Sequence, residues 1–150
     1  MAAFNVNDIL EFAIDREQEA HDFYVDLANE AAQPGMKDLF LKFAREEARH
    51  KKKLEGIQKG GRPIPIAGNV MDLKISDYLI DVEPSGDLTF QEALIVAMKR
   101  EKAAFKLYTD LAILVAEEDL KRVFLALAQE EAKHKLYFEL EYDNRILYEN

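Results

Sequence analysis

Residues 46–50 read EEARH and residues 130–134 read EEAKH; together they hold two of the three histidines in a chain of 150 residues. The repetition extends well beyond these five letters. A shift of 84 positions lays FLKFAREEARHK (40–51) over FLALAQEEAKHK (124–135), identical at eight of twelve positions. The same shift lays REQEAHDFYVDLA (16–28) over REKAAFKLYTDLA (100–112), identical at seven of thirteen. One constant offset serves both pairs of segments, so the chain contains an internal duplication without insertion or deletion between the copies. Common descent preserves some identities by inertia, so the chemistry has to be argued from periodicity.

Each phrase lies in a helix-period pattern. Phe40, Phe43, Glu47, His50, Leu54 and Ile57 follow one another at spacings of three and four, as do Leu120, Phe124, Leu127, Glu131, His134 and Phe138. That is the seam a helical bundle buries. Glu47 and Glu131 therefore point inward, while Glu46 and Glu130 sit about 100° around the helix, on its flank. Two further lines recur every seven residues: Leu10, Glu17, Tyr24, Ala31, and Leu94, Glu101, Tyr108, Val115. Each carries one glutamate among apolar or aromatic neighbours.

The pattern predicts four helices. The first starts near Asn7, with Asn7 or Asp8 as cap, and runs to about Ala32, where Gln33-Pro34-Gly35 supplies a stop and a turn. The second spans about Met36 to Lys59. The third begins at Thr89, where T-F-Q-E forms a capping box with Glu92, and runs to about Ala116. The fourth covers roughly Glu118 to Leu147. Residues 60–88 hold four of the six Gly and three of the four Pro, and within them MDLKISDYLID (71–81) could form a short helix. The expected fold is all-α: two duplicated hairpins, about 7–59 and 89–147, forming an antiparallel four-helix bundle in one domain. The one long connection, between the second and third helices, marks a crossover bundle, whereas a simple up-down bundle needs only short loops.

Composition removes several function classes. With no Cys, disulfides, Cys-ligated zinc and iron–sulfur clusters are excluded. A formal charge of −9 argues against nucleic acid as the main partner. The first residues have no basic run before the acidic ones, and no apolar stretch is long enough to span a bilayer. The expected location is cytoplasmic, away from membranes.

Four carboxylates and two imidazoles thus enter one apolar core. Four unpaired buried carboxylates would repel one another and lose their hydration. Protonation or buried Lys and Arg would relieve this, but no Lys or Arg occupies the seams; Arg16 and Arg100 adjoin Glu17 and Glu101 on the flank. Two divalent cations balance four carboxylates with two neutral histidines. Glu-x-x-His also sets both side chains on one helical face, and a carboxylate–imidazole donor set suits Fe, Mn or Zn. The predicted metal ligands are Glu17, Glu47, His50, Glu101, Glu131 and His134. The bland reading is a bundle that keeps polar core residues as hydrogen-bonded relics of its ancestor.

REQEAHDFY, EEARH, the REKAAFKLY copy, EEAKH and the DLKISDYL insert together resemble the rubrerythrin branch of the ferritin-like superfamily, over nearly the whole chain. The resemblance implies a ferritin-like bundle with a di-iron centre. In it Glu17 with His50 and Glu101 with His134 would hold the two edges, and Glu47 and Glu131 would bridge the metals. Tyr24 and Tyr108 would hydrogen-bond the ligating carboxylates; as residues of the seam they also read as core tyrosines. Two features depart from the family. A chain without Cys cannot contain the rubredoxin iron of full-length rubrerythrins, and Ala104 stands where the family usually has a further carboxylate.

The implied activity is that of an oxidative-stress oxidoreductase. It would reduce hydrogen peroxide or dioxygen with two irons and an external electron donor, such as a rubredoxin-type protein, and assemble as a homodimer. A ferroxidase or iron-storage protein is the alternative; storage requires a large hollow shell, which a dimer is not. A structural bundle with a vestigial or zinc-loaded site is the third reading. His21 follows Glu17 by one turn, but its copy is Phe105, so it reads as a packed or partly exposed histidine. Lys51-Lys52-Lys53 reads as solvated surface near a helix C-terminus.

Overall fold

A computed structural model of the chain describes residues 6–32, 34–60, 64, 78–80 and 89–149, with side chains through 144. Four helices account for almost all of them: α1 Val6–Glu30, α2 Pro34–Lys59, α3 Phe90–Leu114 and α4 Glu118–Glu149. The architecture is all-α, consistent with a four-helix bundle. Two compact units divide the chain, Met1–Ile64 and Pro65–Asn150, each containing one hairpin.

In the first unit, α1 and α2 pack against each other along the seams read from the sequence. Leu10, Glu17 and Tyr24 are buried on α1, and Phe40, Phe43, Glu47, His50 and Leu54 on α2. Tyr24 meets Phe43 edge-on, with ring centroids 5.9 Å apart. Each fully buried Leu or Phe contributes about 1.5–3 kcal/mol, so these lines of side chains supply most of what holds the hairpin closed. Lys51 Nζ donates to Gln18 Oε1 at 2.7 Å, a polar clasp between the two helices.

The turn between α1 and α2 corrects one expectation. Pro34-Gly35 opens the second helix instead of terminating the first, so α1 stops at Glu30 and α2 starts two residues early. Proline suits a first helical position, where its missing N–H would have no intrahelical acceptor and its φ is already helical.

In the second unit, α3 begins at the predicted box. Thr89 Oγ1 accepts from the Glu92 amide at 3.1 Å, and the Thr89 amide donates to Glu92 Oε1 at 3.0 Å. Those amide and hydroxyl contacts hold the exposed Glu92 carboxyl below its usual range. The helix ends at Leu114, two residues sooner than expected, because Val115 is extended (φ −78°, ψ 146°) while its N–H still reaches Leu111 O. Lys121 Nζ then donates to Ala112 O at 2.9 Å, satisfying a carbonyl in the last turn of α3. Gln91 reaches Tyr142 across α3 and α4 at 3.4 Å. The short helix expected within 71–81 lies outside the described residues, apart from Tyr78–Ile80. Among these, Tyr78 is buried and its hydroxyl donates to Asp110 Oδ2 at 2.9 Å.

Candidate metal centre

In each hairpin a Glu from one helix lies beside the Glu-x-x-His of the other, as the seam spacing predicts. In the first, His50 Nδ1 lies 3.0 Å from Glu17 Oε2 and 3.2 Å from Glu47 Oε1. In the second, His134 Nδ1 lies 3.6 Å from Glu101 Oε1 and 3.8 Å from Glu131 Oε1. Within each trio the three donor atoms are all within 4.8 Å of one another. All six side chains are buried, none more than 4% exposed. The flanking glutamates separate as expected: Glu46 is half-buried with Arg49 4.0 Å away, and Glu130 is exposed.

The donor chemistry fits a cation. A neutral histidine has one ring nitrogen with a hydrogen and one with a lone pair. If the lone pair is at Nδ1, it faces two carboxylate oxygens in each trio, a set of like partial charges in a dry interior. A cation among the three donors, or a proton on Nδ1, resolves the conflict. Arg16, the cation next in sequence to Glu17, turns instead to Glu19 at 3.1 Å and covers the Phe12 ring at 4.8 Å.

The other predicted positions divide. Tyr24 and Tyr108 are essentially fully buried, as the seam requires. His21 is about one-third exposed, with Nδ1 3.0 Å from Asp22 Oδ1, which matches its reading as a surface histidine. Ala104 is half-buried, and its copy Ala20 is buried, so both hairpins carry alanine three residues after the α1 or α3 glutamate.

Residues 8–69 match the Rubrerythrin family model, a stretch that includes Glu17, Glu47 and His50. That stretch is 62 of the chain's 150 residues, and over it the chain is similar to the rubrerythrin family. No rubredoxin domain is evident, as the lack of Cys requires. A solved structure of a hypothetical protein from Pyrococcus furiosus is similar, with a TM-score of 0.79 and 25% identity. The match covers 99% of this chain and 94% of that one. No curated protein matches the chain. No described helix is long and apolar enough to cross a membrane.

One buried acidic residue escaped the sequence reading. Asp110 is 8% exposed and bonds both Tyr78 and Lys106. The Lys106–Asp110 spacing of four was a visible signal for the ion pair, but nothing local announces the tyrosine, which is 32 residues away.

Proposed function

We propose that the two trios together hold two iron ions, and that the protein reduces hydrogen peroxide or dioxygen with electrons from an external donor. The observation that carries this reading is the burial of the same Glu, Glu and His set twice, once per hairpin, in a chain with a rubrerythrin family match. Bound there, two ferrous ions supply one electron each, which with two protons converts one peroxide to two waters.

The chain's own groups do the rest. Glu17, Glu47 and His50 would hold one metal, and Glu101, Glu131 and His134 would hold the other. Four carboxylates against two divalent cations leave no net charge in the core, which removes the repulsion that burial imposes. Lines of Phe, Leu and Tyr above and below the glutamates exclude bulk water and so restrict side reactions. Tyr24 and Tyr108, buried in the same seams, would orient the carboxylates by hydrogen bonding. With Ala104 in place of a further carboxylate, the site has six ligands disposed alike in the two copies. These 150 residues hold no Cys to ligate a rubredoxin-type iron, so the electrons would come from a donor outside them.

The test is stopped-flow absorbance of the ferrous-loaded protein, mixed separately with peroxide and with dioxygen. Oxidation by peroxide much faster than by dioxygen supports a peroxidase. Faster reaction with dioxygen selects the oxidase arm. No oxidation by either overturns the proposal.

A further inference from the structure

The outer side of α3 carries a concave surface that the metal reading does not use. Leu79 and Ile80 of the connection, with Ala103, Phe105 and Thr109 of α3, line a cavity of about 530 Å³ in the second unit. Leu79 and Phe105 remain 55% and 42% exposed there. Lys99 and Lys102 also line it and are exposed; among the described residues no carboxylate pairs with either. Lys106 is different. Its Nζ lies 2.8 Å from Asp110 Oδ2 and 5.0 Å from the centre of the Tyr78 ring. With Tyr78 bonded to the same carboxylate, that network fixes one wall and leaves two lysines uncompensated.

The duplication acts as an internal control on this surface. Eighty-four positions earlier, Lys99, Lys102, Ala103, Phe105 and Lys106 correspond to Asp15, Gln18, Glu19, His21 and Asp22. The two copies keep the same ligands on their inner side and the same aspartate at 26 and 110. On this face Lys99 and Lys106 stand opposite aspartates, Lys102 opposite a glutamine, Ala103 opposite a glutamate and Phe105 opposite a histidine. Solubility favours charge of either sign, but it does not account for exposed Phe105 and Leu79 gathered beside lysines in a chain of net charge −9.

We propose that this groove binds a free straight-chain carboxylate, with its head held by Lys99 and Lys102 and its alkyl chain laid along Leu79, Ile80, Ala103 and Phe105. The volume lies in the range of small-molecule sites, roughly 300–1,000 Å³. An acidic protein would need about 800 Å² of matching surface, far more than nine lining residues present. The proposal does not depend on the metal.

Isothermal titration of the full chain with decanoate, below its micelle concentration, tests it. The expected result is one decanoate per chain with a Kd below about 1 mM, weakened by salt. Decanol should bind about tenfold less tightly, and octanoate also about tenfold less tightly, for two fewer methylenes. Lys99→Asp with Lys102→Gln installs the residues of the first copy and should cost at least about tenfold; Lys102→Gln alone repeats the test with a single exposed change. Phe105→His should remove most of the difference between octanoate and decanoate. No heat of binding up to about 5 mM decanoate, or equal affinity in the lysine variants, overturns the proposal. Binding to phosphatidylglycerol vesicles without binding to decanoate also overturns it, in favour of a membrane surface.

Discussion

The two hairpins began as one sequence, and they keep the same buried Glu, Glu and His set while their outer charges have diverged. Inside, Glu17, Glu47 and His50 repeat as Glu101, Glu131 and His134, all buried, with the imidazole closer to its carboxylates in the first hairpin than in the second. Outside, Asp15, Glu19 and Asp22 face Lys99, Ala103 and Lys106, and the polar His21 faces the apolar Phe105. A side chain that must share a cation with two others has few substitutes, because a longer, shorter or uncharged group leaves buried charge unbalanced. A solvated position tolerates either sign of charge at little cost. The inner set therefore reports a shared task, and the outer set reports what each copy does separately.

The largest effect expected from breaking this symmetry is in metal content. If Glu47 and Glu131 are shared between two metals, Glu47→Ala and Glu131→Ala each reduce iron from two per chain to well below one. Glu17→Ala and Glu101→Ala, which remove an edge ligand, should each leave about one. Elemental analysis after iron loading distinguishes the classes. Equal losses in all four variants would mean that no glutamate is shared, and iron content unchanged by Glu47→Ala or Glu131→Ala would end the metal reading.

Metal that binds only the folded chain stabilises it, by about 2.7 kcal/mol for each independent site at a hundredfold excess over Kd. Chelation of the loaded protein at neutral pH should therefore lower the melting temperature by several degrees. The same chelator should leave a variant lacking both Glu47 and Glu131 unchanged. An apo protein as stable as the loaded one would contradict the charge-balance argument.

That argument was legible in the sequence because a buried glutamate interrupts an apolar line of period seven, and the interruption occurs four times at matching places. The hairpins were legible for the same reason, and the third helix started where Thr89 and Glu92 required. The helix ends were less so: Pro34 serves equally as a stop or as a first helical residue, and only the packed turn decides. Asp110 and the groove were hidden for a different reason. Their surroundings depend on Tyr78, Leu79 and Ile80, which come from the connection, whose placement on α3 the seam spacing does not specify. Lys99, Lys102 and Phe105 alone look like an ordinary solvated helix face.

Asp110 and its copy Asp26 sharpen the comparison at a smaller scale. The same residue is buried with Tyr78 and Lys106 in one hairpin and exposed in the other. Tyr78→Phe leaves Asp110 one donor short and should destabilise the protein by about 1–3 kcal/mol. Asp26→Asn should stay within about 0.5 kcal/mol of wild type. Both are measured by denaturant unfolding, and a neutral Tyr78→Phe would mean that Lys106 alone satisfies the carboxylate.

The smallest effect separates the starts of the two hairpins. The second copy has Thr89 and Glu92 where the first has Asn5 and Asp8, and a glutamate reaches back to the cap amide more readily than an aspartate does. In the folded protein the Thr89 amide, and then its hydroxyl, hold the Glu92 carboxyl below the usual 4.5. A carboxyl whose folded pKa is depressed adds stability that is fully present above its unfolded pKa and is lost as pH falls through the folded one. Glu92→Gln keeps the shape and a weaker acceptor but removes the charge. It should lower the melting temperature slightly at pH 7, by less than Tyr78→Phe does, and the difference should close as pH falls from about 4.5 through the lower folded value, below which wild type is neutral there as well. Parallel melting curves for wild type and Glu92→Gln across pH 3–7 would show that the box acts through shape alone, and that its charge does nothing to distinguish the second hairpin from the first.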